Sequence, residues 1–551
     1  EISCSLVGSE MCIRDSRYRL LFSIILLLFF SPCLRAGEWQ WSVPLDGFVS
    51  NETNRNPTAF LWIPADCMQI KAIIVGQHNM SEETLFDNPL FREKMQKLGI
   101  GFVWITPGID QQWDVSKGTQ QIFEKMMISL ADVSGYSELK NVPIVPIGHS
   151  AMATYPWNFA AWNPERTLAI ISLHGDAPRT NLTGYGRENL EWGRTRNIDG
   201  IPGLMIEGEY EWWEARVNPA LAFRMMYPES CISFLCDAGR GHFDVADETA
   251  AYIALFLEKA INQRLTDEVT KDGKVKLNPV NPTKGWLAER WHPDQKKRAK
   301  AAPYSQYKGD PHDAFWYFDR EIAEATETRY TQSREKKEQY LGFEQNGSLL
   351  TYDKKQHVRV QPRFNPEADG ITFHLKAVCT DSLRTKLSDE HADATPIISR
   401  ICGPVEKVND TTFMVSFYRM GMNNPRRTGD ICLLASQTGD RKYKSAVQEV
   451  SIRIPYRNTE GQRQYILFPG LPDVKAESGS LPLKATSDCG LPVSYYIKEG
   501  PAEIEGDQIV FTPIPPRSKF PVKVTVVAWQ YGIAGKVQTA EPVERNFYIL
   551  K

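Results

Sequence analysis

The sequence predicts an α/β protein with a mostly parallel sheet, followed by antiparallel β-sandwich modules. Between residue 37 and about residue 265, apolar runs of four to six residues alternate with helix-like stretches. Such buried runs between helices are typical of a parallel sheet with helices on both faces. From about residue 345, segments of alternating polarity lie between turn residues, a pattern that favours an antiparallel sandwich.

Each element follows from these patterns. The predicted strands of the first region are Ala72–Val75, Gly101–Ile105, Val142–Ile147, Leu168–Leu173, Gly203–Ile206 and Ile232–Leu235. The predicted helices are Glu83–Leu98, Thr119–Leu130, Asn218–Met226 and Thr249–Ala260. Later strands are predicted at His357–Gln361, Thr372–Ala377, Thr412–Tyr418, Glu449–Ile454, Leu481–Thr486, Val493–Ile497, Gln508–Thr512 and Val522–Trp529. We therefore expect three domains: 37–335, with a helical elaboration from about residue 265, then 336–468 and 469–551.

Composition excludes several classes of protein. The 551 residues carry 64 Lys and Arg against 67 Asp and Glu, a net charge of −3, which argues against a nucleic-acid binder. The sequence has no His-Glu-x-x-His motif and no glycine-rich phosphate loop, so neither a metal nor a cofactor is expected. The oligomeric state stays open.

The N-terminal segment predicts export. Arg17 and Arg19 precede an apolar block of eleven residues, 20–30, and the small Ala36 follows it. A basic start, a short apolar core and a small residue at the cleavage site describe a secretory signal peptide. Eleven residues are too few to span a bilayer, which needs about 20. We expect a secreted or periplasmic protein that is not integral to the membrane once processed, with an uncleaved anchor as the alternative. Residues 1–16 look foreign, so 1–36 is set apart from the fold.

The strongest chemical signal is the run Gly148-His149-Ser150-Ala151-Met152. An apolar strand leads straight into it, and residues 154–161 continue as a helix. A nucleophile elbow needs this strand–turn–helix arrangement, which lifts the serine above the sheet. Met152 stands where the G-x-S-x-G motif has its last glycine. The alternative is an ordinary turn in which Ser150 caps the helix.

A histidine base is expected after the last strand of the sheet. The loop from Asp237 contains Gly239, Gly241 and His242. Its glycines let the loop bend back over the sheet, and the pKa range of histidine suits proton transfer from a serine. His242 is therefore the predicted base, with a helix-capping histidine as the alternative.

A carboxylate that orients the base is expected after the preceding strand. The segment 207–214 supplies four, of which Glu209, Glu211 and Glu214 are open candidates, and Asp176 lies at a less usual site. An oxyanion hole needs two backbone amides. We expect one from Ala151, directly after the nucleophile, and the other from His78, after the strand at 72–75.

These residues make 37–265 resemble the α/β-hydrolase superfamily, and within it the secreted bacterial serine esterases and polyester depolymerase-like hydrolases. The order Ser150, acid, His242 is that of the superfamily. The resemblance implies acyl transfer to water through a serine ester. It also favours Glu211 as the acid, three residues after Gly208, because the acid of the family commonly lies there.

The last unit resembles the immunoglobulin-like modules appended to secreted bacterial proteins. The residues that carry this resemblance are 485–487 (Ala-Thr-Ser), 490–495 (Gly-Leu-Pro-Val-Ser-Tyr), 500–502 (Gly-Pro-Ala) and 524–526 (Val-Thr-Val). If the protein is an esterase, we expect the two β-modules to position the catalytic domain or to bind polymer.

Two functional hypotheses follow, together with one variant. The first is a serine esterase that cleaves carboxylic esters on a polysaccharide or another extracellular polymer. Trp212 and Trp213, a pair in a polar loop, are its predicted substrate contacts, because flat rings can stack on sugars or aryl esters. The second is a non-catalytic binding or adhesion protein on the same scaffold. A peptidase would share the triad, and the sequence does not separate it from an esterase.

Overall fold

The computed structural model describes residues 38–50, 53–180, 188–211, 214–293, 295–356, 358–422 and 429–551. The predicted signal peptide lies outside these residues. Ala36–Lys551 form one compact unit. Among the described residues, no helix combines the length and the apolarity needed to cross a membrane.

An eight-stranded sheet forms the centre of the first region, in the order β1-β2-β4-β3-β5-β6-β7-β8. Its strands are β1 Trp41–Pro44, β2 Thr58–Trp62, β3 Ala72–Gln77, β4 Ile100–Thr106, β5 Ile144–His149, β6 Ile170–Leu173, β7 Pro202–Gly208 and β8 Cys231–Asp237. From β4 to β8 every pairing is parallel, whereas β1 and β2 add an antiparallel edge. This sheet confirms the predicted α/β-hydrolase fold.

Two hydrophobic cores lie on opposite faces of this sheet. Along β3, Ala72 and Ile74 pack into one core, while Ile73 and Val75 pack into the other. Alternate side chains of a strand point to opposite faces, so a strand buried on both sides needs an unbroken apolar run. Burial on both faces is therefore the reason why unbroken apolar runs in the sequence predicted the parallel strands.

Helices cover both faces: α1 Met80–Asp87, α2 Pro89–Leu98, α3 Thr119–Ser134, α4 Tyr155–Trp162, α5 Glu214–Met226, α6 Asp247–Arg264 and α7 Arg320–Thr331. The single helix predicted at Glu83–Leu98 is wrong, since the chain breaks at Asn88. The Asn88 side chain accepts a hydrogen bond from the amide of Phe91, and Pro89 occupies the first turn of α2. Proline lacks an amide donor, so it starts a helix more readily than it continues one.

Among the described residues, the segment expected from about residue 265 as a helical elaboration has more strands than α-helices. It contains β9 Leu265–Val269, β10 Val275–Leu277, β11 Trp286–Glu289, β12 Ala302–Pro303 and β13 Ala314–Tyr317, and one α-helix, α7. The aromatic run at 315–317 explains the error, because aromatic residues favour strands. All of β13 is buried, and the hydroxyl of Ser233 on β8 donates to the carbonyl of Trp316 at 2.6 Å.

The remainder forms small, mainly antiparallel sheets. Their strands are β14 Tyr340–Gln345, β15 Ser348–Leu349, β16 Thr372–His374, β17 Lys376–Thr380, β18 Ile397–Cys402, β19 Val405–Lys407, β20 Thr412–Val415, β21 Asp430–Gln437, β22 Ala446–Arg453, β23 Ile466–Leu467, β24 Val474–Lys475, β25 Ser480–Pro482, β26 Thr486–Ser487, β27 Ser494–Glu499, β28 Ala502–Glu505, β29 Gln508–Phe511, β30 Val522–Trp529 and β31 Val543–Leu550. The predicted strand at 357–361 is wrong, since its described residues 358–361 are irregular. Trp529 and Tyr531, beyond the predicted boundary at 468, belong to the core of the preceding region.

Buried ion pairs join helix α1 to the region after residue 336. The carboxylate of Glu83 binds the guanidinium of Arg400 and accepts a hydrogen bond from the hydroxyl of Tyr418 at 3.0 Å. One turn later, Asp87 lies 3.3 Å from Arg419. Glu83 is fully buried, so removing either partner would leave an uncompensated charge.

We expect Arg400→Met to destabilise the protein by about 3–5 kcal/mol, the cost of breaking a buried ion pair. Burial raises the pKa of Glu83, so without Arg400 its carboxylate would take up a proton more readily and the loss should be smaller at pH 5 than at pH 8. Chemical denaturation at both pH values measures this. The control is Lys376→Met, in an exposed pair, with an expected loss of at most about 1 kcal/mol. Equal stability of the two variants would contradict the prediction.

Candidate active site

Ser150 occupies a tight turn at the carboxyl end of β5. Its φ is +50°, a left-handed conformation that non-glycine residues rarely adopt outside constrained sites. A Cβ on Gly148 would lie 2.0 Å from the carbonyl oxygen of Met152, and a Cβ on Gly175 would lie 1.9 Å from the Cβ of Ala153. Small residues at these positions therefore allow the chain to turn from β5 into α4.

Met152 fits the turn because its side chain lies away from Gly148. It is the backbone carbonyl of Met152 that faces Gly148, while the methyl group reaches the neighbourhood of Gly108. Met152 is only 8% exposed, so its side chain is packed against its neighbours and does not extend into solvent. The departure from G-x-S-x-G thus leaves the turn intact.

The three predicted triad side chains lie in contact. Nε2 of His242 lies 2.8 Å from Oγ of Ser150, and Nδ1 of the same ring contacts the carboxylate of Glu211. Glu211 ends the short 3₁₀ turn that follows β7, and His242 lies in the loop after β8. The carboxyl ends of parallel strands meet at one edge of a sheet, which brings the three loops together.

Among the four acid candidates, the structure places Glu211 against the histidine. Glu209 instead accepts from the amide of Gly239 and from Lys444, each at 2.9 Å. Asp176 accepts from Thr154 at 3.1 Å. The fourth candidate, Glu214, lies 3.6 Å from Arg290.

The carboxylate of Glu211 is held ionised by its neighbours. It accepts hydrogen bonds from the amide of Gly208 at 2.8 Å and from Arg216 at 3.4 Å. Burial acts to raise its pKa, but His174 and His242 together hold that pKa well below its usual range. A charged carboxylate is the form that stabilises an imidazolium during proton transfer.

A second carboxyl group, that of Glu207, lies beneath the site. Among the described residues neither of its oxygens has a hydrogen-bond partner, and the nearest cation, Arg216, is 3.6 Å away. Burial, and then the charge of Glu211, raise the pKa of Glu207 well above its ordinary value. Of the two carboxyl groups, Glu207 is therefore the one that takes up a proton more readily, while Glu211 carries the charge.

The sequence analysis missed two histidines of the site, His149 and His174. Burial and the neighbouring His242 lower the pKa of His149 well below its ordinary value, so the ring is neutral. Its Nε2 lies 2.8 Å from the backbone carbonyl of His242 and holds the loop of the base. His174 contacts Glu211. Both histidines lie at the carboxyl ends of strands, and this position was the signal that could have found them.

The prediction for the oxyanion amide of His78 is wrong. That amide donates to the carbonyl of Ile105 at 2.7 Å, because the ladder between β3 and β4 continues one residue further than expected. The ring of His78 packs edge-on against Trp104. The next residue, Asn79, lies at the turn into α1, and its side-chain amide donates to the carbonyl of His149 at 2.7 Å. Asn79 is thus tied to the elbow that carries Ser150 and Ala151.

The region after residue 336 contacts the loops of both the acid and the base. Lys444 pairs with Glu209 in the acid loop, and the hydroxyl of Tyr210 donates to the carbonyl of Ser445. In the base loop, a Cβ on Gly239 would lie 2.7 Å from the Cβ of Ser445 and 3.1 Å from its carbonyl oxygen, so the chain there lies too close for a side chain at residue 239. Trp212 and Trp213, the predicted substrate contacts, lie outside the described residues.

Two groups of side chains among the described residues could in principle hold a metal ion: His174 with Glu211 and His242, and Glu289 with His292 and Asp313. In the first group the carboxylate already bridges the two rings. In the second, Asp313 binds Arg290 at 2.7 Å and His292 at 2.6 Å. Internal partners thus account for the geometry of both groups.

Fold and site together define an α/β-hydrolase-fold protein with contacting serine, histidine and carboxylate side chains. No protein-family model and no curated protein matches the chain. Solved structures that it is similar to include FphF of Staphylococcus aureus, a fluorophosphonate-binding serine hydrolase (10% identity, 41% of this chain, 100% of that chain, TM-score 0.29). Others are Est1E from Butyrivibrio proteoclasticus (17%, 41%, 100%, TM-score 0.27) and LpqC, a poly(3-hydroxybutyrate) depolymerase from Bordetella parapertussis (10%, 40%, 89%, TM-score 0.28).

We expect Glu207→Gln to stabilise the protein increasingly as the pH rises. The pKa of Glu207 is raised in the fold, so its favourable contribution is complete below the unfolded value of about 4.3 and is lost as the pH rises through the folded value. Glutamine removes this titration. Melting temperatures at pH 5 and pH 9 measure the gain, with exposed Glu505→Gln as the control for charge. The same shift at both pH values would contradict the raised pKa of Glu207.

Proposed function

We propose that the protein is a serine esterase that cleaves carboxylic esters through an acyl-enzyme. The observation that carries the proposal is the continuous contact from Glu211 through His242 to Ser150, with 2.8 Å between Nε2 and Oγ. A base within hydrogen-bond reach of a nucleophile, itself oriented by a third group, is the arrangement that activates serine. A separation beyond about 4 Å would have favoured the non-catalytic binding protein.

The proposed reaction has two halves. His242 Nε2 takes the proton of Ser150 as Oγ attacks the ester carbonyl, and then gives that proton to the departing alcohol. Water attacks the acyl-serine in the same way, with the proton passing through His242 again. Glu211 fixes the ring by accepting from Nδ1–H and stabilises the imidazolium.

Two backbone amides are proposed to bind the oxyanion. Ala151 directly follows the nucleophile, and Asn79 replaces His78 as the second donor. The bond from the Asn79 side chain to the carbonyl of His149 supports this choice, because it fixes the turn beside the elbow. Removing one oxyanion donor typically lowers kcat by about 10²–10³-fold.

The proposed substrate is an ester on a polysaccharide or another extracellular polymer. The predicted signal peptide supports a secreted or periplasmic location, where such polymers occur. We keep Trp212 and Trp213, in the loop after Glu211, as proposed contacts to the polymer.

We expect Ser150→Ala to lower kcat for p-nitrophenyl acetate by about 10³-fold or more, because no other group supplies the nucleophile. Release of p-nitrophenol by residues 37–551 measures this. The matched control is Ser137→Ala, at an exposed serine, which should leave the rate unchanged. Hydrolysis that survives Ser150→Ala, or that is absent from the unchanged protein, would overturn the proposal.

A further inference from the structure

The carboxylate of Glu211 is shared between two histidines. One oxygen contacts Nδ1 of His242, and the other contacts Nδ1 of His174. The amide of Gly208 donates to the same oxygen as His174, at 2.8 Å, and Arg216 donates to the oxygen that His242 uses. The triad of serine, histidine and acid accounts for only one of these two imidazole contacts.

His174 is built into the fold for this contact. The residue is fully buried and has a φ of +51° directly after β6, so its backbone is strained. Two bonds hold that backbone: its amide donates to the carbonyl of Ile206 at 2.7 Å, and its carbonyl accepts from Arg216 at 3.1 Å. Among the described residues, Nε2 of His174 has no hydrogen-bond partner, so Glu211 is the group to which the ring is directed.

The contact fixes where the proton of this ring lies. An ionised carboxylate only accepts hydrogen bonds, and a neutral imidazole has one N–H. Nδ1 of His174 must therefore carry the proton, and its N–H donates to Glu211.

We propose that His174 is a positioning residue of the hydrolase, which holds the carboxylate of Glu211 in the orientation that His242 requires. This role rests on the proposed esterase function. With His174 in place, each carboxylate oxygen has an imidazole donor, and the carboxylate plane cannot rotate without breaking one of the two bonds. Without it, the oxygen that faces away from His242 keeps the Gly208 amide alone.

The test compares two variants of equal shape. Asparagine keeps an N–H donor on the γ-branched side chain and tolerates the left-handed backbone, whereas leucine has the same branching and no donor. For p-nitrophenyl acetate we expect His174→Leu to lower kcat about 10- to 100-fold with KM nearly unchanged, less than the roughly 10⁴-fold loss on replacing a triad carboxylate. His174→Asn should restore kcat to within about 5-fold of the unchanged protein, because the donor returns.

Melting temperatures of both variants separate packing from positioning. Equal losses in kcat for the Leu and Asn variants, or full activity in both, would overturn the role of His174 while leaving the esterase proposal intact. So would a loss confined to KM. Hydrolysis by the unchanged protein that does not depend on Ser150 would instead overturn the proposed function, and with it this role.

Discussion

The buried charge of Glu211 is the constraint around which the site is organised. A carboxylate removed from water needs several donors, and this one receives an amide, a guanidinium and two imidazoles. The pKa values of two neighbouring groups are shifted in the directions that disfavour further charges beside Glu211. Glu207, beneath it, has a raised pKa, and His149, beside the base, has a lowered pKa. Glu211 is thus the carboxylate that carries the charge of the cluster, with Arg216 at 3.4 Å from it.

The acid loop that carries Glu211 and the helix that follows the Asn79 turn both contact the region after residue 336. Lys444 neutralises Glu209, two residues before Glu211, and Arg400 neutralises Glu83 in the helix that follows the Asn79 turn. Both pairs are largely buried, so both loops depend on contacts from beyond residue 336.

Local patterns were sufficient to predict the parallel strands and the elbow. The run that leads into Ser150 is apolar because β5 is buried on both faces, and the glycine at 148 is required by the tight turn. The loop after β8 contains a single histidine, so His242 was identifiable without tertiary information.

The errors came from properties that local patterns do not carry. The second oxyanion donor is proposed at Asn79 rather than His78 because the hydrogen-bond ladder between β3 and β4 extends one residue further than the sequence indicates. The role of His174 depends on its contact with the carboxylate of Glu211, which lies 37 residues further along the chain. The choice of Glu211 among the acids after Gly208 depended on family resemblance. It is the 3₁₀ turn after β7 that directs Glu211 to the base, and the sequence pattern does not predict this turn. The aromatic run at 315–317 lies in a buried strand because β8 offers it a partner surface.

The most direct test of the central claim is covalent trapping of the nucleophile. Diethyl p-nitrophenyl phosphate phosphorylates a serine only where a neighbouring base activates it. Intact-mass and peptide mass spectrometry should show one adduct per chain, on the peptide that contains Ser150, and a much slower adduct in Glu211→Gln, where the anion that orients His242 is lost. No adduct on Ser150, or an equal rate in Glu211→Gln, would contradict a triad organised around the charge of Glu211.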